Sequence, residues 1–204
     1  MIKYFVRTTT ERKIHDSYNQ IPYELLIDYE HNSGKAFLKQ LEIINEYDAV
    51  LLEDDCILCE NFKEEIEKVI KQYPNKIINF FTRPRDYFYT KESSYFSYNQ
   101  CTYYPKGVAK QILNTIKENH LEYNSQERMT QKALLILNWS HIAYRPCLVQ
   151  HIDNNTLMWE KIYIPRRTPY FIDYLNELGI TYEEAQKEEN KSKLNALMKE
   201  KFEK

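Results

Sequence analysis

Only three glycines, Gly34, Gly107 and Gly179, occur among 204 residues, and no two are close in sequence. Phosphate loops of the P-loop or dinucleotide type need clustered glycines, because only glycine lets the backbone approach a diphosphate so closely. Such loops are excluded. Net charge is nearly absent too: 28 Lys and Arg stand against 30 Asp and Glu, a formal −2. No global field therefore draws the chain to nucleic acid or to an anionic membrane, although local basic patches remain open. No apolar run approaches the roughly 20 residues that span a bilayer, so no membrane span is expected. The first residues, Met1-Ile2-Lys3-Tyr4-Phe5-Val6-Arg7, are broken by charge and do not read as a signal peptide. A soluble, cytoplasmic protein is expected. Cysteine is sparse: Cys56 and Cys59 form one C-x-x-C, with no second pair, and Cys101 and Cys147 are isolated. Reduced, mostly buried thiols are expected, not a zinc site or a disulfide framework.

What is present suffices for a core, with 43% of residues apolar, and the length fits one domain with an appendage. Strands are predicted at 2–6, 23–28, 49–52, 76–81, 100–104, 142–144 and 148–151. Helices are predicted at 34–45, with Ser33 as N-cap, and at 61–73. Further helices are expected at 106–119, opened by Pro105, and from Ser125 as a cap to 138. Two more are expected at 171–178 and 182–202. The order β, β, α, β, α predicts an α/β sandwich with a mostly parallel central sheet flanked by helices. Residues 1–180 are assigned to that domain and 181–204 to a charged helical tail.

The segment Ala49-Val50-Leu51-Leu52-Glu53-Asp54-Asp55 places three carboxylates after a run that reads as a fully buried strand. Ligands of open α/β sheets bind at the carboxyl ends of strands. Three adjacent carboxylates repel one another, so something positive must offset them. A hard divalent cation does so, and it also suits a diphosphate. The plain alternative is acidic stabilisation of the helix predicted to follow, but a cap needs one carboxylate, not three.

Two later segments join the triplet: Asn99-Gln100-Cys101-Thr102-Tyr103-Tyr104-Pro105-Lys106-Gly107-Val108-Ala109, and Arg145-Pro146-Cys147-Leu148-Val149-Gln150-His151-Ile152-Asp153. Together the three resemble nucleotide-sugar glycosyltransferases of the GT-A fold, in particular glycosyltransferase family 25 and the N-acetylglucosaminyltransferase group. There a DXD-like "LEDD" is followed by a tyrosine-proline strand–helix and a late "QH" strand. The likeness covers about residues 2–160. It implies a GT-A-like, Rossmann-like sandwich and a nucleotide-sugar donor, best a UDP-sugar. It also implies Mn²⁺ or Mg²⁺ held by Asp55, with His151 completing the metal or diphosphate site. Glu53 and Asp54 would reach the ribose, the sugar or metal-bound water. Arg7 and Thr8 fall on the nucleotide-binding loop, Asp28 on base or ribose, and Lys35 on phosphate with help from a helix N-terminus.

For an inverting reaction Glu127 is the candidate base, with Asp86 and Asp153 as competitors. This chain has Gln126-Glu127 where the family pattern usually carries Asp. The aromatics 87–89 and Tyr95, Phe96 and Tyr98 suggest an acceptor platform. Arg83, Arg85, Arg166 and Arg167 suggest a phosphate-tracking patch. The acceptor stays open among a glycan, a lipid-linked saccharide, a protein and a modified DNA base, and a phage or bacterial origin fits the composition. The alternatives are a nucleotidyltransferase, which would want a glycine-containing basic loop after the first strand, and a non-catalytic module holding Ca²⁺.

Overall fold

A computed structural model describes residues 1–82, 90–121, 125–152 and 167–202. In chain order the strands are β1 (Ile2–Thr8), β2 (Tyr23–Ile27), β3 (Asp48–Glu53), β4 (Cys56–Leu58), β5 (Ile78–Asn79), β6 (Lys91–Ser93), β7 (Cys101–Tyr104), β8 (His141–Ala143) and β9 (Val149–His151). The helices are α1 (Ser33–Ile44), α2 (Phe62–Gln72), α3 (Val108–Glu118), α4 (Gln126–Leu137), α5 (Ile172–Leu178) and α6 (Glu188–Phe202). Short 3-10 turns lie at Asp16–Gln20 and Glu184–Gln186.

The architecture is α/β. Seven strands form one sheet in the order β2-β1-β3-β7-β5-β8-β6, and β4 pairs with β9 in a small second sheet. Alternation along the strands sends side chains to two cores. Phe5, Leu51 and Tyr104 meet Phe37, Leu41 and Ile44 of α1, Ile112 and Ile116 of α3, and Leu134 of α4 on one face. Tyr4, Val6, Val50 and Leu52 meet Phe62, Ile66 and Val69 of α2 and Leu175 of α5 on the other. Burial on both faces is why 49–52 reads as an unbroken apolar run. Ala185 and Leu194 are buried in the second core, with Leu197, Met198 and Phe202 against it. Residues of 181–204 thus pack on the same core as 1–180.

The central sheet is mostly parallel and mixed: β1, β2, β3, β5 and β8 run in one direction, and β7 and β6 run against them. β1 runs parallel to β2 and β3, and β5 to β8. β7 is antiparallel to both β3 and β5, and β6 to β8. Nothing in a four-residue apolar strand encodes its direction, so β7 reads the same either way. Other expectations also change. Asn32, not Ser33, caps α1: its side chain accepts from Lys35 N at 3.0 Å. Pro105 lies in the turn before α3, and Gly107 is the N-cap at φ 82°, where a side chain would be strained. The helix expected over 182–202 is interrupted at Lys187, and β4 and β6 were not foreseen. Ser125 does cap α4, accepting from Arg128 N. All four cysteines are free and buried. Among the described residues no helix is long and apolar enough to cross a membrane.

Candidate functional site

β3 delivers Glu53 to its C-terminal end, and the turn into β4 carries Asp54 and Asp55. All three are largely withdrawn from water, with side chains 12%, 5% and 13% exposed. Burying an ionised carboxylate costs several kcal/mol unless a partner answers it. The chain answers with two arginines. Arg7, at the end of neighbouring β1, pairs with Glu53 Oε1. Arg12, from the loop after β1, donates to Asp54 Oδ1 at 2.6 Å and to Asp55 Oδ2 at 3.1 Å.

Neutral groups complete the shell. Gln126 Nε2, at the start of α4, donates to Glu53 Oε1 at 2.8 Å, and Gln100 Nε2 to Glu53 Oε2 at 3.3 Å. Gln126 Oε1 accepts from Arg7 and from Asn99 Nδ2. Thr8 Oγ1 donates to Asp54 Oδ2 at 2.6 Å. The fully buried Tyr18 hydroxyl donates to the Glu53 carbonyl.

Asp55 differs from its neighbours. β4 and β9 pair Cys56 with His151, and Ile152 N donates to the Asp55 carbonyl at 2.7 Å. This register brings His151 Nε2 within 3.4 Å of Asp55 Oδ2. The other oxygen, Asp55 Oδ1, is buried with no hydrogen-bond partner among the described residues. Burial pushes the Asp55 carboxyl upward, but hydrogen bonding and charge from His151 and Arg12 outweigh it, and the group stays below the usual carboxylate range. Burial first, and then the nearby acids, push the adjacent Cys56 thiol well up, so it is a neutral core group.

Among the described residues no group of three or more His, Cys, Asp and Glu side chains is arranged to hold a metal ion. A nucleotide-dependent cation asks for less, since one or two carboxylates, waters and substrate phosphates complete the shell. The orphaned Asp55 Oδ1, with His151 beside the same carboxylate, fits that demand. Asp54 offers no free oxygen while Arg12 and Thr8 hold it, and Glu53 is likewise engaged.

Arg7, Thr8, Glu53, Asp54, Asp55 and His151 therefore converge. Asp28 and Lys35 sit one strand away. Asp28 N donates to the Thr8 carbonyl at 2.8 Å, while its side chain accepts from Glu30 N. Lys35 is exposed, with Nζ 3.5 Å from Glu30. Both line a groove of about 250 Å³ between β2 and α1, together with Leu25 and Lys39. Glu127 is half-buried in the first turn of α4 and accepts from Ser125 Oγ at 3.0 Å, while its neighbour Gln126 reaches the acids. Gln150 turns away from His151 and bonds Thr168.

Of the aromatics, Phe96 is core and packs edge-on to His141, Tyr98 packs on Phe81, and Tyr95 is exposed. Arg167 lies over the Phe202 ring. Asp86, Asp153, Arg83, Arg85, Arg166 and residues 87–89 fall outside the described residues. Arg12, Gln100, Gln126 and Tyr18 were missed as site residues. Their one available signal was the need for positive charge and donors near three acids. No protein-family model matches the chain, and comparison with curated proteins gives no match.

Proposed function

We propose that the protein is a metal-dependent glycosyltransferase of GT-A-like architecture that transfers a sugar from a nucleotide-sugar donor, best a UDP-sugar, to an acceptor hydroxyl. The observation that carries this reading is Asp55: a buried carboxylate oxygen without a hydrogen-bond partner among the described residues, at the carboxyl end of a central strand, beside a histidine brought by a separate strand. Asp55 and His151 would hold Mn²⁺ or Mg²⁺. A cation bound there supplies Lewis-acid stabilisation of the departing nucleoside diphosphate. Thr8 and Arg12 fix Asp54 beside it, and Arg7 and Gln126 fix Glu53. Asp28 and Lys35, lining the next groove, are the proposed contacts for the nucleoside and its phosphates. Glu127, half-buried and free of the acidic cluster, is the proposed base that takes the acceptor proton.

A second reading has its own observation. Arg7 and Arg12 already neutralise the triplet, as a purely structural ion-pair network would. Thermal unfolding against nucleotides and nucleotide sugars, with and without Mn²⁺, separates the two. A donor at 100 times its dissociation constant stabilises by about 2.7 kcal/mol. The transferase reading expects a metal-dependent shift with one nucleoside diphosphate series. It also expects Asp55→Ala to lose that shift while remaining folded, and Glu127→Gln to slow turnover about 100-fold or more without losing donor binding. Full donor affinity in Asp55→Ala with Mn²⁺, or no nucleotide shift in the parent protein, leaves the structural network standing.

A further inference from the structure

Arg145 is 3% exposed, in the segment that joins β8 to β9. Its Nη1 donates to Cys147 Sγ at 3.0 Å and to Thr168 Oγ1 at 3.3 Å. Among the described residues its buried Nε and Nη2 have no hydrogen-bond partner, and no carboxylate pairs with it. The Tyr170 ring lies 5.7 Å from Cζ. Nε–H and the adjacent Nη2–H point the same way. They form the side-on fork that matches the two oxygens of a carboxylate or phosphate.

The rest of the arrangement holds that fork still. Thr90 Oγ1 bonds both the Arg145 N–H, at 2.8 Å, and its carbonyl, at 2.9 Å. Gln150 clamps Thr168 through backbone N and O, and Thr168 Oγ1 also accepts from Tyr170 N. The Cys147 sulfur lies 3.4 Å from both the N and the O of Thr82. The Thr82 hydroxyl is itself buried and unpartnered. Arg145 and Thr82 thus both contact one sulfur, and each keeps polar atoms that have no hydrogen-bond partner among the described residues. A guanidinium buried without an anion is destabilising, and an apolar side chain of similar size would pack there at lower cost. Hydrogen-bonded neighbours on one edge and, among the described residues, no hydrogen-bond partner on the bidentate edge are what a preorganised anion receptor requires.

We infer that Arg145 and Thr82 form an anion site for a two-oxygen oxyanion, a carboxylate or a phosphate, with the guanidinium fork on two oxygens and the Thr82 hydroxyl as a further donor. The site lies at the carboxyl ends of β5 and β8, the same end of the sheet as Glu53–Asp55, because β3, β5 and β8 run in one direction. It does not depend on whether the acidic cluster holds a cation. Should the transferase reading stand, which this addition rests on, the site makes the acceptor an acidic one.

The test uses the full chain with sodium phosphate and, separately, sodium acetate, each against sodium chloride of equal ionic strength. Calorimetric binding and thermal unfolding are read alongside the ¹H–¹⁵Nε signal of Arg145. The parent protein should bind at least one anion saturably and shift that signal. Acetate alone assigns a carboxylate, and phosphate alone assigns a phosphate. Arg145→Met should lose the response while melting no lower than the parent protein without anion, and Thr82→Val should weaken binding about tenfold. Undiminished binding by Arg145→Met overturns the inference. So does a parent protein that responds to neither anion, whatever the melting temperature of Arg145→Met. Neither outcome touches the metal-dependent donor shift, so failure here and failure of the transferase reading are told apart.

Discussion

Two arginines leave water in this molecule on opposite terms. Arg12 lies among carboxylates, holding one oxygen of Asp54 and one of Asp55. Arg145 lies deeper, against a sulfur, a hydroxyl and a ring, with no acid paired to it among the described residues. The charge of the first is cancelled within the chain, and that of the second is left for something else. A buried group that the fold fully answers contributes to the fold. A group the fold leaves half-answered is costly to keep, and a ligand that answers it repays that cost. Asp55 shows both conditions in one carboxylate, with Oδ2 answered and Oδ1 not.

The largest way to break the contrast is Arg12→Met. Removing one partner from a buried ion pair costs about 3 kcal/mol, taken at the low end because the Arg12 side chain is 21% exposed. Urea unfolding should show this loss, opposite in sign to the change expected for Arg145→Met. Mn²⁺ should restore more stability to Arg12→Met than to the parent protein, because Asp54 Oδ1 and Asp55 Oδ2 are released to it. Equal stability of Arg12→Met and the parent would erase the distinction between the two arginines.

A third buried ionisable group, His141, sharpens it. Burial, partly offset by a hydrogen bond with the Ser93 backbone, lowers its pKa from 6.5 to about 4. The unfolded chain therefore binds the proton first on acidification. Stability should fall as pH drops from 6.5 toward 4, by on the order of 3 kcal/mol in all. Asp55, held below its ordinary 3.8, adds a loss of the same sign only at still lower pH. Asp173, raised to about 6 by burial, acts oppositely: its favourable share is complete below pH 3.8 and disappears as pH rises through 6. Denaturant titrations of His141→Leu should show a flatter profile between pH 4 and 6.5, and an unchanged slope would refute the assignment. The smallest effect is expected from Thr8→Val, which leaves Asp54 Oδ2 unanswered and should cost about 1 to 2 kcal/mol by the same titration.

Much of this contrast was visible in the sequence on its acidic side only. The apolar run 49–52 announced a buried strand, and its end announced the acids, because both signals are local. His151 was reachable through the late strand. Arg12 was not, since it sits in a loop without periodicity and its role depends on β1 lying beside β3. Gln126 was passed over for Glu127 because the first turn of a helix does not reveal which of two neighbours faces inward. β4 was hidden inside Cys56-Ile57-Leu58-Cys59, where cysteine spacing drew more notice than a three-residue strand. Arg145 carried no signal at all, for an unpaired buried charge is defined by what is absent around it. The reversal of β7 was equally silent, so the expected mostly parallel sheet holds for β1, β2, β3, β5 and β8 but not for β7.

The antiparallel placement of β7 between β3 and β5 also has a consequence for synthesis. Strands β1, β2 and β3 emerge early and can pair at once, yet the free edge of β3 has no partner until Cys101–Tyr104 appears, some fifty residues later. At roughly 5 to 20 residues per second that edge waits several seconds on the ribosome. For that interval Ala49–Leu52 is a bare hydrophobic template for any neighbouring chain. Arg7 and Arg12 emerge before the acids that follow it, so pairing of β1 with β3 already answers most of their charge, and the template must rely on the speed of synthesis.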